Sequence, residues 1–158
     1  MLFTARATDP ATLGRVGGAV RVDTALVLHL IAGGFVPVIS PLARDAEDHA
    51  GGGLNVNGDD AAAALAVALG ADELVLVADV PGVLEDGALI PSLDAARAAA
   101  LVASGVAAGG MAAKLEAATT ALRGGVVRVR IAGLDAVADA GAGTHIVPHD
   151  LPRSPSPA

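Results

Sequence analysis

A chain of 158 residues with 53% hydrophobic side chains is long enough to bury the core of one domain. It has no cysteine, which excludes a disulfide framework and a thiolate metal centre. Its net charge of −7, with no Trp or Tyr, argues against a nucleic-acid-binding face, which needs basic residues and stacking platforms. No apolar run reaches membrane-spanning length without a Gly, a Pro or a charge. The first ten residues, MLFTARATDP, lack the order of a secretion signal. A soluble, cytoplasmic protein that binds neither nucleic acid nor membrane is the expectation. The histidines His29, His49, His145 and His149 show no metal-ligand spacing, so no metal held by side chains alone is expected.

In chain order, residues 15–20, RVGGAV, hint at a phosphate loop but lack the Lys-Ser/Thr pair and the preceding strand that one needs. Residues 24–32 read as a helix ended by Gly33-Gly34. FVPVIS, residues 35–40, is a short apolar run bounded by Gly34 and Pro41, and it predicts a buried strand. Residues 42–53 are polar and Gly-rich, so a loop or exposed hairpin with its tip at Gly51–Gly53. Residues 59–69 form an Ala-rich helix with two acids in its first turn, where they suit the positive end of the helix dipole. ELVLVAD, residues 73–79, is a second buried strand, followed by a Pro/Gly-punctuated loop over 80–91.

Residues 93–103 read as a helix, 107–110 as a small-residue turn, and 110–123 as a helix closed by Gly124-Gly125. VVRVRIA, residues 126–132, is a third strand, and 143–147 a candidate for a last one. Strands separated by helices make the fold class α/β, a mostly parallel sheet sandwiched by helices with right-handed crossovers. Ligands of such sheets bind at the carboxyl ends of the strands, which here means the loops after Ser40, Asp79 and Ala132. No linker interrupts residues 1–150, and the Pro/Ser-rich tail at 151–158 is expected to be disordered.

Three segments carry chemistry. LNVNGDD, residues 54–60, ends an extended stretch and opens a helix, a place for a cap and equally for an anion. ADVPGVL, residues 78–84, ends a strand in an acid and turns through Pro81-Gly82, which suits a plain turn or the holding of an adenine and ribose. AGGMAAK, residues 108–114, lets the backbone approach a ligand closely at Gly109-Gly110. Taking about 100° per residue, Met111, Leu115, Ala118 and Leu122 form one apolar stripe with Lys114 about 60° to its side. Lys114 then sits in the helix's first turn, as a snorkelling residue or as an anion ligand. It is the only lysine, against nine arginines, so its survival under that compositional bias points to a chemical need.

Taken in order, LNVNGDDAAAALAVALGADELVLVADVPGVL, AGGMAAKLEAA and GTHIV resemble the amino-acid kinase superfamily, and within it the acetylglutamate kinases. LGRVGGAVRVD followed by GFVPVIS is similar to the segment preceding that family's NVNAD motif, so the likeness runs from residue 13 to 147. It departs from the family's usual residues at Gly58, Ala78 and Ala108. The resemblance implies an amino-acid kinase or carbamate kinase-like fold, in part. It also implies transfer of the γ-phosphoryl of ATP, with Mg2+, to N-acetyl-L-glutamate in arginine biosynthesis.

It further implies that Asn55 contacts the substrate, Asp59 organises the site, and Lys114 neutralises charge on the phosphoryl group. Ala78, Asp79, Val80, Pro81, Gly82 and Val83, with Val106, Ala107, Ala108, Gly109 and Gly110, line the ATP pocket under the same reading. Such a nucleophile is a carboxylate with a pKa of about 4.3, already ionised at neutral pH, so no general base is needed. Positioning and positive charge are what the protein must supply.

Members of the family begin with a strand carrying Lys-x-Gly-Gly, and this chain has no second lysine. Residues 1–150 are thus expected to be the ATP-binding C-terminal part of a kinase. Its N-terminal half would be supplied separately, or its site completed in a homodimer. A non-catalytic nucleotide-binding remnant, or another amino-acid kinase such as the carrier-protein-linked aminoadipate kinase, stays as an alternative. A dinucleotide-binding oxidoreductase would need a G-x-G-x-x-G after a first strand, which is absent.

Overall fold

The computed structural model describes residues 1–134 and 138–148, so the tail expected at 151–158, and His149, lie outside the described residues. The chain divides into two compact units between Asp72 and Glu73.

In the first unit, burial alternates along short strands and sets one apolar face. The elements are β1 (Phe3–Ala5), α1 (Pro10–Leu13), β2 (Arg21–Val22), α2 (Ala25–Ala32), β3 (Leu42–Asp45), β4 (Gly53–Asn55) and α3 (Gly58–Leu69). The sheet order is β2-β1-β3-β4, with β1 parallel to β3 and the other pairs antiparallel. Phe3, Ala5, Ala43, Leu54, Val56 and Ala61 form its core. The helix expected over 59–69 is α3. Asn57 caps it, its side-chain oxygen accepting from the N–H groups of Asp59 at 2.8 Å and Asp60 at 3.2 Å. Gly70 ends it in the left-handed conformation at φ 62°.

The first unit departs from expectation at residues 35–40. They form no strand, and Phe35, Val36 and Val38 are 66%, 89% and 98% exposed. The apolar pattern there is a surface that wants covering, but β3 occupies the place beside β1 and leaves this segment unpaired within the unit's sheet. The stretch after Ser40 is therefore not the carboxyl end of a strand. Residues 42–55 do make a hairpin, and its first arm is central, with Ala43 buried.

The hinted phosphate loop also finds another use. The Gly17 N–H donates to the Asn55 carbonyl at 2.8 Å and the Gly18 N–H to that of Arg6 at 3.0 Å. A Cβ on Gly17 would come within 2.9 Å of Val56 Cγ1, so this glycine serves packing.

Arg15 ties the hairpin tip, its guanidinium donating to the carbonyls of Gly52 at 2.8 Å and Gly53 at 3.0 Å. It also lies 3.7 Å from the buried Asp45 carboxylate. The N–H of Glu47 donates to that carboxylate at 2.9 Å. This bond first, then the Asp48 N–H and Arg15, holds the Asp45 pKa below the usual aspartate value, against the opposing effect of burial.

A depressed folded-state pKa stabilises the fold above the unfolded value, and that contribution is lost as pH falls through the folded one. Wild-type chain should therefore lose stability below about pH 4 more steeply than Asp45→Asn. Urea unfolding at pH 5 and pH 3 reads this, and equal slopes for the two proteins would contradict it.

The second unit holds β5 (Glu73–Ala78), β6 (Leu84–Glu85), β7 (Ala88–Leu89), β8 (Ser92–Asp94), α4 (Ala95–Ala103), α5 (Gly109–Arg123), β9 (Arg128–Gly133) and β10 (Thr144–Val147). Its sheet runs β5-β9-β10-β8, and β6 and β7 form a separate small hairpin. β5 pairs parallel with β9 from Glu73↔Arg128 to Ala78↔Gly133. β10 is antiparallel to β9 and parallel to β8.

The α/β class is as expected, though both sheets are mixed because hairpin partners join the parallel pairs. The first residues of the helix expected over 93–103 are instead strand β8, drawn into the ladder by β10. Asp94 then caps α4 by accepting from the Arg97 N–H at 2.7 Å. Leu115, Ala117, Ala118 and Ala121 are the buried face of α5. Among the described residues no helix is long and apolar enough to cross a membrane.

Candidate functional site

Strand directions gather one group of candidate residues at a single edge of the second unit's sheet. β5 and β9 are parallel, so the loop after Ala78 and the end of β9 at Gly133 share that edge. Gly124 to Val127 is a short link between α5 and β9, so α5 runs antiparallel to β9 and brings its N-terminal end there too. β10 runs the other way, which puts its first residue, Thr144, opposite Ile131 at the same edge. Ala78, Asp79, Val80, Pro81, Gly82 and Val83, Val106 to Gly110, and Lys114 thus collect around the carboxyl ends of two parallel strands. That is the usual ligand edge of an α/β sheet.

Each piece is held differently. Gly82 and Val83 are buried, while Asp79 and Pro81 are exposed. Val106, Ala108, Gly109 and Gly110 are exposed, but Ala107 is buried and its N–H donates to the Leu101 carbonyl at 3.0 Å. That anchor fixes the turn that feeds α5. Ala108 is the N-cap of α5 and gives no side-chain cap bond. An N-terminus of this kind presents backbone N–H groups of the first turn to an anion. Nothing lies within 4 Å of a Cβ built on Gly109 or Gly110, so their small size keeps this approach open.

The helix starts at Gly109, one residue earlier than expected, and half-buried Lys114, its sixth residue, stands in the second turn rather than the first. The stripe is as read: Leu115 and Ala118 are buried, Met111 and Leu122 half-buried, and Glu116, Thr120 and Arg123 exposed.

Asn55 and Asp59 belong to the first unit. Asn55 is exposed in β4, with its backbone N–H donating to the Arg15 carbonyl at 2.9 Å. Asp59 is half-buried at the start of α3, under the Asn57 cap. The cap reading of LNVNGDD is therefore realised by Asn57, which leaves Asn55 and Asp59 as the residues on which chemistry could fall. Among the described residues no three His, Asp or Glu side chains gather as metal ligands.

One residue at the edge is absent from the candidates read from sequence. Thr144 is fully buried, and its hydroxyl accepts from the Val83 N–H at 2.8 Å. The available signal was a polar Thr after a Gly at the head of the short strand THIV.

The profile of the amino acid kinase family matches residues 2–133 of this chain. An acetylglutamate kinase of Rubrobacter xylanophilus is 56% identical over 114 residues, which are 72% of this chain and 44% of that protein. Among solved structures, smu.665 from Streptococcus mutans UA159 superposes with a TM-score of 0.81 at 31% identity, over 92% of this chain and 56% of that one. Carbamate kinase from Giardia lamblia bound to AMP-PNP superposes at 0.71 and 20% identity, over 94% of this chain and 60% of that one, a likeness of fold. The chain spans about half the length of the curated relatives it matches.

Proposed function

This chain belongs to the amino acid kinase family, and from that membership we propose that it is the nucleotide-binding half of an acetylglutamate kinase. The observation that carries the reading is the 56% identity to an acetylglutamate kinase. The reaction is ATP plus N-acetyl-L-glutamate giving ADP and N-acetyl-L-glutamyl 5-phosphate, a step of arginine biosynthesis in the cytoplasm. The acceptor carboxylate attacks as the ionised species, and the Pγ–O bond to ADP breaks. Charge builds on the oxygens around the transferring group, and a compact ammonium suits their neutralisation.

Lys114 has that role in this proposal, aided by the N–H groups at the head of α5. Residues 78–83 and 106–110 hold the nucleotide. Asn55 contacts the acceptor, and Asp59 orients the charged groups. Mg2+ would supply further charge neutralisation on the phosphates. It takes few protein ligands and keeps several waters, so Asp59 would act on its water shell.

The active kinase in this reading also includes the other half of the domain, or a second copy of this chain. An apolar surface in the first unit supports a partner. Leu26, Leu28 and Ile31 of α2 are exposed, and so are Phe35, Val36, Val38 and Leu42. Seven large apolar side chains between residues 26 and 42 are thus left in water, and a partner would cover some of them.

The purified chain should bind ATP weakly and form no acyl phosphate, read as the hydroxamate trapped by hydroxylamine. Hydroxamate should form when the other half of the Rubrobacter xylanophilus relative is added. Turnover by the chain alone would remove the need for a partner, and absence of ATP binding would sink the nucleotide-half reading. Val38→Lys should leave the chain's own stability within about 0.5 kcal/mol, because the side chain is exposed. The same change should prevent reconstitution, since a charge would be buried without a partner. Undiminished hydroxamate formation with that variant would exclude this surface as the docking face.

A further inference from the structure

The excursion after β5 leaves the sheet at Ala78 and returns at Ser92. Its neck is closed by one backbone bond, the Ile90 N–H donating to the Val83 carbonyl at 2.9 Å. A regular antiparallel pair would add the reciprocal bond, from the Val83 N–H to the Ile90 carbonyl. Here a hydroxyl stands between those two groups. Thr144 Oγ1 accepts from the Val83 N–H at 2.8 Å and donates to the Ile90 carbonyl at 2.7 Å. Thr144 belongs to β10, so the bridge fastens both sides of the neck to the sheet.

Two glycines make room for it. A Cβ on Gly82 would lie 2.7 Å from Thr144 Oγ1. A Cβ on Gly143, at φ +96°, would lie 2.5 Å from the Ile131 carbonyl oxygen. The hydroxyl is therefore placed from both sides by backbone that no side chain could share.

We propose that Thr144 is a positioning residue for the nucleotide loop, setting the place of residues 78–83 relative to the sheet edge through the Val83–Thr144–Ile90 bridge. The proposal deepens the nucleotide-half reading and rests on it. Only a hydroxyl at this position both accepts and donates, and valine has the shape without either capacity. Losing the bridge leaves a buried N–H and a part-buried carbonyl unmatched, so the loop moves to satisfy them and the preformed nucleotide contacts are lost.

The test measures binding of AMP-PNP with Mg2+ to the purified chain, well below its melting temperature, for wild type, Thr144→Val and Thr144→Ser. Hydrogen exchange at the Val83 amide is followed in parallel. The expected result is about a tenfold weaker affinity for Thr144→Val, with Thr144→Ser near wild type and faster Val83 exchange only in the valine variant. Gly82→Ala attacks the same contact from the loop side, its Cβ pressing on Thr144 Oγ1, and should weaken binding and speed Val83 exchange together, which keeps the test open should the valine variant fold poorly.

Equal AMP-PNP affinity for wild type and whichever of Thr144→Val and Gly82→Ala folds would overturn the positioning role alone. A wild-type chain that does not bind AMP-PNP overturns the nucleotide reading itself, and the positioning role with it.

Discussion

Lys114→Met should lower phosphoryl transfer by about 100- to 1,000-fold in the assembly that forms acyl phosphate, by analogy with removing one donor from an oxyanion site. The argument is one of place and charge. Lys114 stands in the second turn of α5, half-buried, beside a glycine pair that lets the phosphates come close to the backbone. Methionine keeps an apolar stem of similar length, so the packing along Leu115 and Ala118 is retained while the charge is removed.

Because the charge on the phosphoryl oxygens is greatest in the transition state, kcat should fall much more than the ATP dissociation constant rises. Lys114→Arg should recover only part of the rate, since a planar fork cannot reproduce a rotating ammonium. The hydroxamate assay, run at saturating ATP and acetylglutamate, measures this. A rate for Lys114→Met within threefold of wild type would show that the assigned role is wrong.

The second large effect is on stability. Gly143→Ala should destabilise the second unit by about 3 kcal/mol, combining overpacking with a left-handed backbone that alanine disfavours. The new Cβ would lie 2.5 Å from the Ile131 carbonyl oxygen and 2.7 Å from Ala132 Cβ, both on the neighbouring strand β9. Neither is the end of a flexible side chain, so β10 itself must move. The pairing Thr144↔Ile131 would be disturbed, and the bridge to Val83 with it. Thermal unfolding followed by circular dichroism should show a fall of about 6–12 °C. A melting temperature within a degree of wild type would mean that β9 and β10 separate more easily than this packing implies.

Several parts of the molecule were legible in the sequence because their causes are local. Asn57 and the acids after it announce α3, and Gly70 stops it. Gly33 closes α2, and Gly124-Gly125 follow the last residue of α5. The run at 73–79 contains β5, and that at 126–132 contains all of its parallel partner β9 but Gly133. The stripe of α5 and the solvated side opposite it follow from helical spacing alone. The short strands β1, β2 and β8 were missed because two or three residues carry no period to read.

The sequence by itself determined the α/β class, where α2 to α5 end, and the family, because caps, stops, apolar runs and ordered motifs each act within a few residues. Tertiary structure alone decided which strands are neighbours, since β9 must come back beside β5 and only then can β10 join it. It left the apolar segment at 35–40 unpaired, which no local pattern could reveal. It also chose Thr144, whose hydroxyl meets groups 61 and 54 residues away. The physical reason is separation along the chain: a cap acts between near neighbours, whereas a bridge across a loop exists only after the sheet has brought its ends together.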